Sequence, residues 1–233
     1  MDQATSRRGT IGPGDVTAAA ARIAGRVRQV TLAHVEPIAI DAHAVTVGHD
    51  ETGAVGHDET GTAGSFELVL ALEMVQHTGT FKARGAANLA AYHLAAGTMP
   101  DAGIVIASGG NAGVAVVAVG PTGCRALHAA IEHGGPVDVP ADSIAADSLG
   151  GRRASQMAYD LAVTSPTTSV LVSDEAIASA RQRLWDDHRL VVEPGGATAL
   201  AALLSGAYVP RPGGRVAVVL CGANTDPSDL AIR

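Results

Sequence analysis

Cysteines, aromatic residues and excess positive charge are all scarce in this chain, and each scarcity removes a class of function. Among 233 residues only Cys124 and Cys221 are cysteines, far apart and without paired-ligand spacing. That excludes a disulfide framework and a zinc-ligating motif and leaves reduced thiols as the default. Aromatic residues make up 3% of the chain and the formal net charge is −7. Too few rings are present to stack bases, and no basic stripe exists to neutralise a phosphate backbone, so no nucleic-acid partner is expected. No apolar run is long and uninterrupted enough to span a bilayer, and Met1 to Arg8 lacks the apolar core of an export signal. A cytoplasmic location without a membrane partner is the expectation.

What the chain does contain is aliphatic: 47% of its residues are hydrophobic. Strand-like and helix-like stretches alternate, the pattern of an α/β fold. Asp15 to Gln29 reads as an amphipathic helix with Asp15 as its cap, and Glu67 to Glu73 as a buried strand. Thr80 is placed to cap an alanine-rich helix over Phe81 to Ala96. Ile104 to Ala107 reads as a short strand, and helices are expected near Arg125 to His133 and Ala154 to Ala162. Strand Ser169 to Val172 precedes a helix capped by Ser173 and running to His188. An alanine-rich helix to Leu204 and a final buried strand over Arg215 to Leu220 complete the pattern. Between Val47 and Thr60 lies a duplication, Gly48-His49-Asp50-Glu51-Thr52-Gly53 and Gly56-His57-Asp58-Glu59-Thr60-Gly61. It has no apolar face and reads as an exposed loop. Consecutive ligand-type residues there are not organised around a cation, and no metal is assigned.

Three junctions carry chemistry. In Gln76-His77-Thr78-Gly79-Thr80-Phe81-Lys82-Ala83-Arg84-Gly85-Ala86, Lys82 stands in the first turn of a helix, where the helix dipole disfavours a cation and favours a neutral, nucleophilic amine. Ser108-Gly109-Gly110-Asn111-Ala112-Gly113 follows a strand, and the backbone N–H groups of such a turn suit a carboxylate or phosphate. The last strand ends in Cys221-Gly222-Ala223-Asn224, where open α/β sheets collect function. Cys221 reads equally as a small core residue.

Together with Val192-Glu193-Pro194-Gly195-Gly196-Ala197, these segments in this order resemble the fold-type II pyridoxal-phosphate enzymes, specifically the serine/threonine dehydratase (ammonia-lyase) group. The resemblance runs from Asp15 to about Thr225, the duplicated loop excepted. It implies a tryptophan-synthase-β-like open sheet with flanking helices and pyridoxal phosphate as cofactor. By the same resemblance Lys82 would link to the cofactor aldehyde and act as the base at Cα. Phe81 would lie against the cofactor face, Asn111 would bond its 3-oxygen, and Cys221 would face the pyridine nitrogen. Ser108, Gly109 and Gly110 would bind the substrate carboxylate, and Glu193 would shape the pocket or cap the following helix. The implied reaction is elimination from serine, threonine or a related 3-hydroxy amino acid to a 2-oxo acid and ammonia. Relatives are commonly dimers or tetramers, so a homo-oligomer is compatible with the resemblance.

The family's phosphate-holding run of glycines has no counterpart. Gly109-Gly110, Gly150-Gly151, Gly195-Gly196 and Gly213-Gly214 are pairs, and none follows the expected strand. Asn111 to Val116 runs almost directly into Val117-Ala118-Val119-Gly120-Pro121, which resembles a much later strand of the family. An internal deletion near Val114 to Val117, removing most of the smaller domain, accounts for both. Gly120 stands where some relatives carry a metal-ligating glutamate, so no metal is carried over. The implied organisation is a disordered segment over 1–14 and one incomplete domain over 15–233, in which 46–64 is the exposed loop and 85–116 a remnant of the smaller domain. Two other functions stay open: a catalytically impaired remnant of the family, and a generic α/β binding module using the Ser108 to Gly113 turn.

Overall fold

The computed structural model describes residues 12–35, 66–98, 117–164 and 167–230. Helix α1 spans Pro13–Ile23. Proline at a first helical position suits its missing N–H, and the Asp15 carboxylate accepts a 2.8 Å hydrogen bond from the Gly12 N–H. Asp15 therefore braces the helix from inside its first turn, and Gly12, not Asp15, is the cap. The helix also stops short of Gln29, close to Gly25, which adopts a φ of 73°.

Two parallel pairings build the sheets. Strand β2 (Glu67–Leu72) lies between β1 (Leu32–Val35, antiparallel) and β5 (Arg215–Leu220, parallel). Strand β3 (Val117–Pro121) pairs in parallel with β4 (Thr168–Val172) in a second sheet. Leu68 and Leu70 of β2 are buried on one face, as expected for a run read as a buried strand. Helix α2 (Lys82–Ala95) packs against α1, while α3 (Ala126–His133), α4 (Ala146–Leu149) and α5 (Gln156–Thr164) follow β3. Helix α6 (Asp174–His188) begins at Ser173, whose hydroxyl accepts the Ala176 N–H at 3.2 Å.

Helix α7 (Pro194–Leu204) joins the two sheets, packing on β3, β4 and β5 together. Its buried residues include Gly196, Ala197, Ala201 and Ala202, and these small side chains let the helix axis approach the strands closely. Leu200 and Leu203 fill the remaining space with Ile177 and Leu184 of α6 and Leu220 of β5. Arg181 is buried in α6 and donates to the carbonyl oxygens of Val192 at 2.7 Å and Asp226 at 3.0 Å, and pairs with Asp229. It fastens the approach to α7 and the C-terminal segment to one side chain. The fold is α/β with open sheets and flanking helices, as the sequence implied.

Candidate active site

The turn before α2 is set by glycine geometry. Gly79 adopts a φ of 71°, a left-handed conformation open to residues without a Cβ, and its N–H returns to the Gln76 carbonyl at 2.9 Å. The Thr80 hydroxyl then accepts the Lys82 N–H at 3.3 Å, so Thr80 satisfies a helix-start donor although Phe81 occupies the boundary position.

The same glycine meets the end of β5. Gly222, at a φ of 77°, donates its N–H to the Gly79 carbonyl at 2.8 Å, and its own carbonyl accepts the Glu193 N–H at 2.7 Å. Three segments distant in sequence are thereby tied through two backbone hydrogen bonds: the lysine turn, the strand end carrying Cys221, and the entry to α7. A Cβ on Gly222 would lie 2.2 Å from Glu193 Cγ, and one on Gly196 would lie 2.1 Å from the Cys221 carbonyl oxygen. Both glycines are required for close approach.

A cavity of about 500 Å³ opens beside this junction. One wall carries Glu73, Thr80, Phe81, Lys82, Glu193 and Cys221; the opposite wall is β3 with Cys124, Arg125 and His128. Lys82, Phe81 and Cys221 thus share one cavity, and Glu193 lies on its lining, with no side-chain hydrogen bond capping α7. Ser108, Gly109, Gly110 and Asn111 lie outside the described residues, as do the duplicated 48–61 segment and the Ile104 to Ala107 stretch.

Burial pushes the Cys221 thiol up to about 11 from its ordinary 9.0, with Glu193 and Glu73 adding to the rise and Lys82 opposing it. The thiol is therefore neutral at physiological pH. Burial also raises Cys124 on the opposite wall. Among the described residues no group of His, Cys, Asp and Glu is placed to hold a metal ion.

Two features of the site carry no motif signal. Lys82 is the only lysine in the sequence, every other cationic side chain apart from histidine being arginine, a signal available from counting alone. The sequence pattern makes Glu73 only the last residue of the strand over Glu67 to Glu73. It is instead a buried carboxylate on a 3₁₀ turn (Glu73–Val75), paired with Arg84 at 2.8 Å.

The lysine wall fits pyridoxal phosphate: an amine without a hydrogen bond or ion pair among the described residues, and a neutral thiol on the same cavity. Among the described residues no run of glycines lines the cavity, its lining glycines being Gly120, Gly151 and Gly195. A Cβ on Gly195 would strike Ser148 Oγ at 2.0 Å, so that glycine is taken up by packing against the chain itself.

Comparison with known proteins bears on the same surfaces. Residues 114–222 match the family described as pyridoxal-phosphate dependent enzyme. A phenylserine dehydratase of Ralstonia pickettii is 40% identical over 116 residues, covering 50% of this chain and 36% of that protein. A serine dehydratase-like protein of Mus musculus is 32% identical over 150 residues, covering 55% of this chain and 46% of that protein. The matched stretches thus span less than half the length of these relatives. A crystal structure of a threonine deaminase from T.th. superposes with a TM-score of 0.63 at 19% identity, covering 93% of this chain and 99% of that one, which shows a shared fold. Over residues 114–222, just under half of its length, the chain is thus similar to the family of pyridoxal-phosphate dependent enzymes, whose cofactor is pyridoxal phosphate.

Proposed function

We propose that the chain eliminates the β-hydroxyl of serine, threonine or a related 3-hydroxy amino acid, giving a 2-oxo acid and ammonia, with Lys82 as cofactor link and base. The observation that carries this reading is the hydrogen-bonded junction of Gly79 with Gly222, which sets Lys82 and Cys221 on one cavity wall. Curated relatives named dehydratases support the reaction class.

The chain's own residues have separable tasks. Lys82, at the start of α2, faces the cavity and takes the proton from the substrate Cα. When bound, the cofactor supplies a conjugated ring that accepts the electron pair left behind. The Cys221 thiol, neutral with its ionisation raised to about 11, is a weak hydrogen-bond donor. A ring nitrogen held against it would stay unprotonated, which would favour prompt loss of the β-substituent over chemistry that needs a long-lived carbanion. Phe81 lines the same cavity and offers an apolar face to the ring. Asn111 as a cofactor contact, and Ser108, Gly109 and Gly110 as the substrate-carboxylate turn, belong to the same proposal. So do a cytoplasmic location, a small amino-acid substrate and a homo-oligomer; no helix among the described residues is long and apolar enough to cross a membrane.

The absence of a glycine run on the cavity lining among the described residues favours a second reading, in which the chain is an impaired relative of these enzymes that holds the cofactor loosely. A phosphate dianion without a cradle forgoes several charge-assisted hydrogen bonds, each about 1.5 to 3 kcal/mol. Titration with pyridoxal phosphate, followed by absorbance and repeated with Lys82→Ala, separates the readings. A lysine-dependent band with 2-oxo acid release from serine or threonine supports the enzyme. A band only at high cofactor concentration without turnover supports the impaired form, and no lysine-dependent band refutes both.

A further inference from the structure

Glu73 is an unusual residue for this cavity. It is 7% exposed, its Oε1 accepts the Arg84 Nε–H at 2.8 Å, and its Oε2 is buried with no hydrogen-bond partner among the described residues. A buried carboxylate oxygen left unpaired is costly and calls for a donor that the static structure does not supply. Lys82 lines the same cavity, and its Nζ has no hydrogen bond or ion pair among the described residues. Both side chains lie close enough to Cys221 to act on its charge, in opposite directions.

The anchoring of Glu73 is deliberate. Arg84, two residues after Lys82, holds Oε1 and also donates to the Arg28 carbonyl at 3.0 Å. Gln76 grips Arg28 from both sides, accepting its N–H at 2.9 Å and donating to its carbonyl at 3.0 Å. The carboxylate is therefore fixed against the first turn of α2, from which Lys82 extends on a flexible stem.

We propose that Glu73 is a positioning residue for Lys82, its free Oε2 receiving an N–H of the ammonium that Lys82 becomes whenever it takes up a proton. This deepens the reading of Lys82 as a base and rests on it. A base must hold the proton it removes, and a fixed carboxylate beside it stabilises the charged product of that transfer against the opposing helix dipole. Other charged or titratable groups facing the site are Arg84 on α2, Cys221 after β5, Glu193 before α7, and Cys124, Arg125 and His128 on the opposite wall.

The test needs neither cofactor nor turnover. Because Lys82 is the only lysine, reductive methylation of the full chain with isotope-labelled formaldehyde marks Lys82 and the terminal amine, which titrates well below it. The proposal predicts that the Lys82 midpoint, followed by NMR, falls by about one pH unit, a tenfold loss of proton affinity, in Glu73→Gln. It predicts no comparable change in Glu193→Gln. In the unsubstituted chain the Lys82 methyl resonance is also expected to show a second inflection in the carboxylate range, which Glu193→Gln retains. A folded Glu73→Gln with an unmoved midpoint would overturn the proposal. So would the absence of the acidic inflection in the unsubstituted chain, which settles the matter even where the variant fails to fold. Absence of a cofactor band would refute the cofactor reading while leaving these NMR outcomes to stand separately.

Discussion

The two walls of the cavity are made differently. On the lysine wall, backbone hydrogen bonds of 2.7 and 2.8 Å join three segments, and glycines sit where any Cβ would collide with a neighbour. The opposite wall is one face of a two-stranded sheet, β3 with β4, followed by Arg125 and His128. Its polar groups serve local ends: Arg125 and His128 both approach Glu132, at 3.6 and 3.4 Å, and His128 bonds Ser169 at 3.1 Å. The contrast teaches that one cavity can be built rigidly on one side, by backbone bonds between distant segments, and only locally on the other.

The largest expected effect breaks the lysine wall outright. Lys82→Ala is expected to abolish the cofactor-dependent absorption band and all 2-oxo acid release, since no other lysine exists to substitute. Next, Gly196→Ala drives a Cβ to 2.1 Å from the Cys221 carbonyl oxygen and must displace α7 or the end of β5. A loss of about 1 to 3 kcal/mol is expected in urea unfolding, the range for overpacking.

A smaller effect follows from the Cys221 thiol, raised from 9.0 to about 11. The folded chain holds that proton more tightly than the unfolded one, so its contribution to stability is complete below pH 9 and is lost as pH rises towards 11. Allowing for partial solvent screening, the loss amounts to about 1 to 2 kcal/mol, and Cys221→Ser should flatten this part of the stability profile. Smallest is Arg125→Ala on the opposite wall, where an exposed ion pair contributes about 0.2 to 1 kcal/mol. Cofactor affinity is expected to change less than about threefold, under 1 kcal/mol; a much larger drop would show that this wall does hold the phosphate.

Much of the lysine wall was legible because its signals are local. A small-residue turn between a buried strand and an alanine-rich helix specifies the position of Lys82, and Thr80 does supply a helix-start acceptor. The meeting of Cys221 with that turn was implied only by resemblance, since no periodicity brings residue 221 to residue 79. Strand β1 was missed: Leu32-Ala33-His34-Val35 is four residues long, and its state depends on pairing with β2. Helix α1 was misplaced because Asp15 looked like a cap, although Pro13 and Gly25 marked the true ends. Glu73 was invisible as a site residue for a related reason. Alternation in a strand predicts burial, and a partner eleven residues away on a helix, such as Arg84, is fixed only by tertiary packing.

The asymmetry of the two walls is tested most directly by comparing pyridoxal phosphate with deoxypyridoxal, the analogue with a methyl group in place of the phosphate-bearing arm. Both are titrated into the chain and followed by the Lys82-dependent absorption band, with Lys82→Ala as the blank. With no glycine run on the cavity lining among the described residues, the two dissociation constants should differ by less than about tenfold, or 1.4 kcal/mol. A preference for the phosphate form of about a thousandfold or more, the return expected from several charge-assisted hydrogen bonds, would contradict the account.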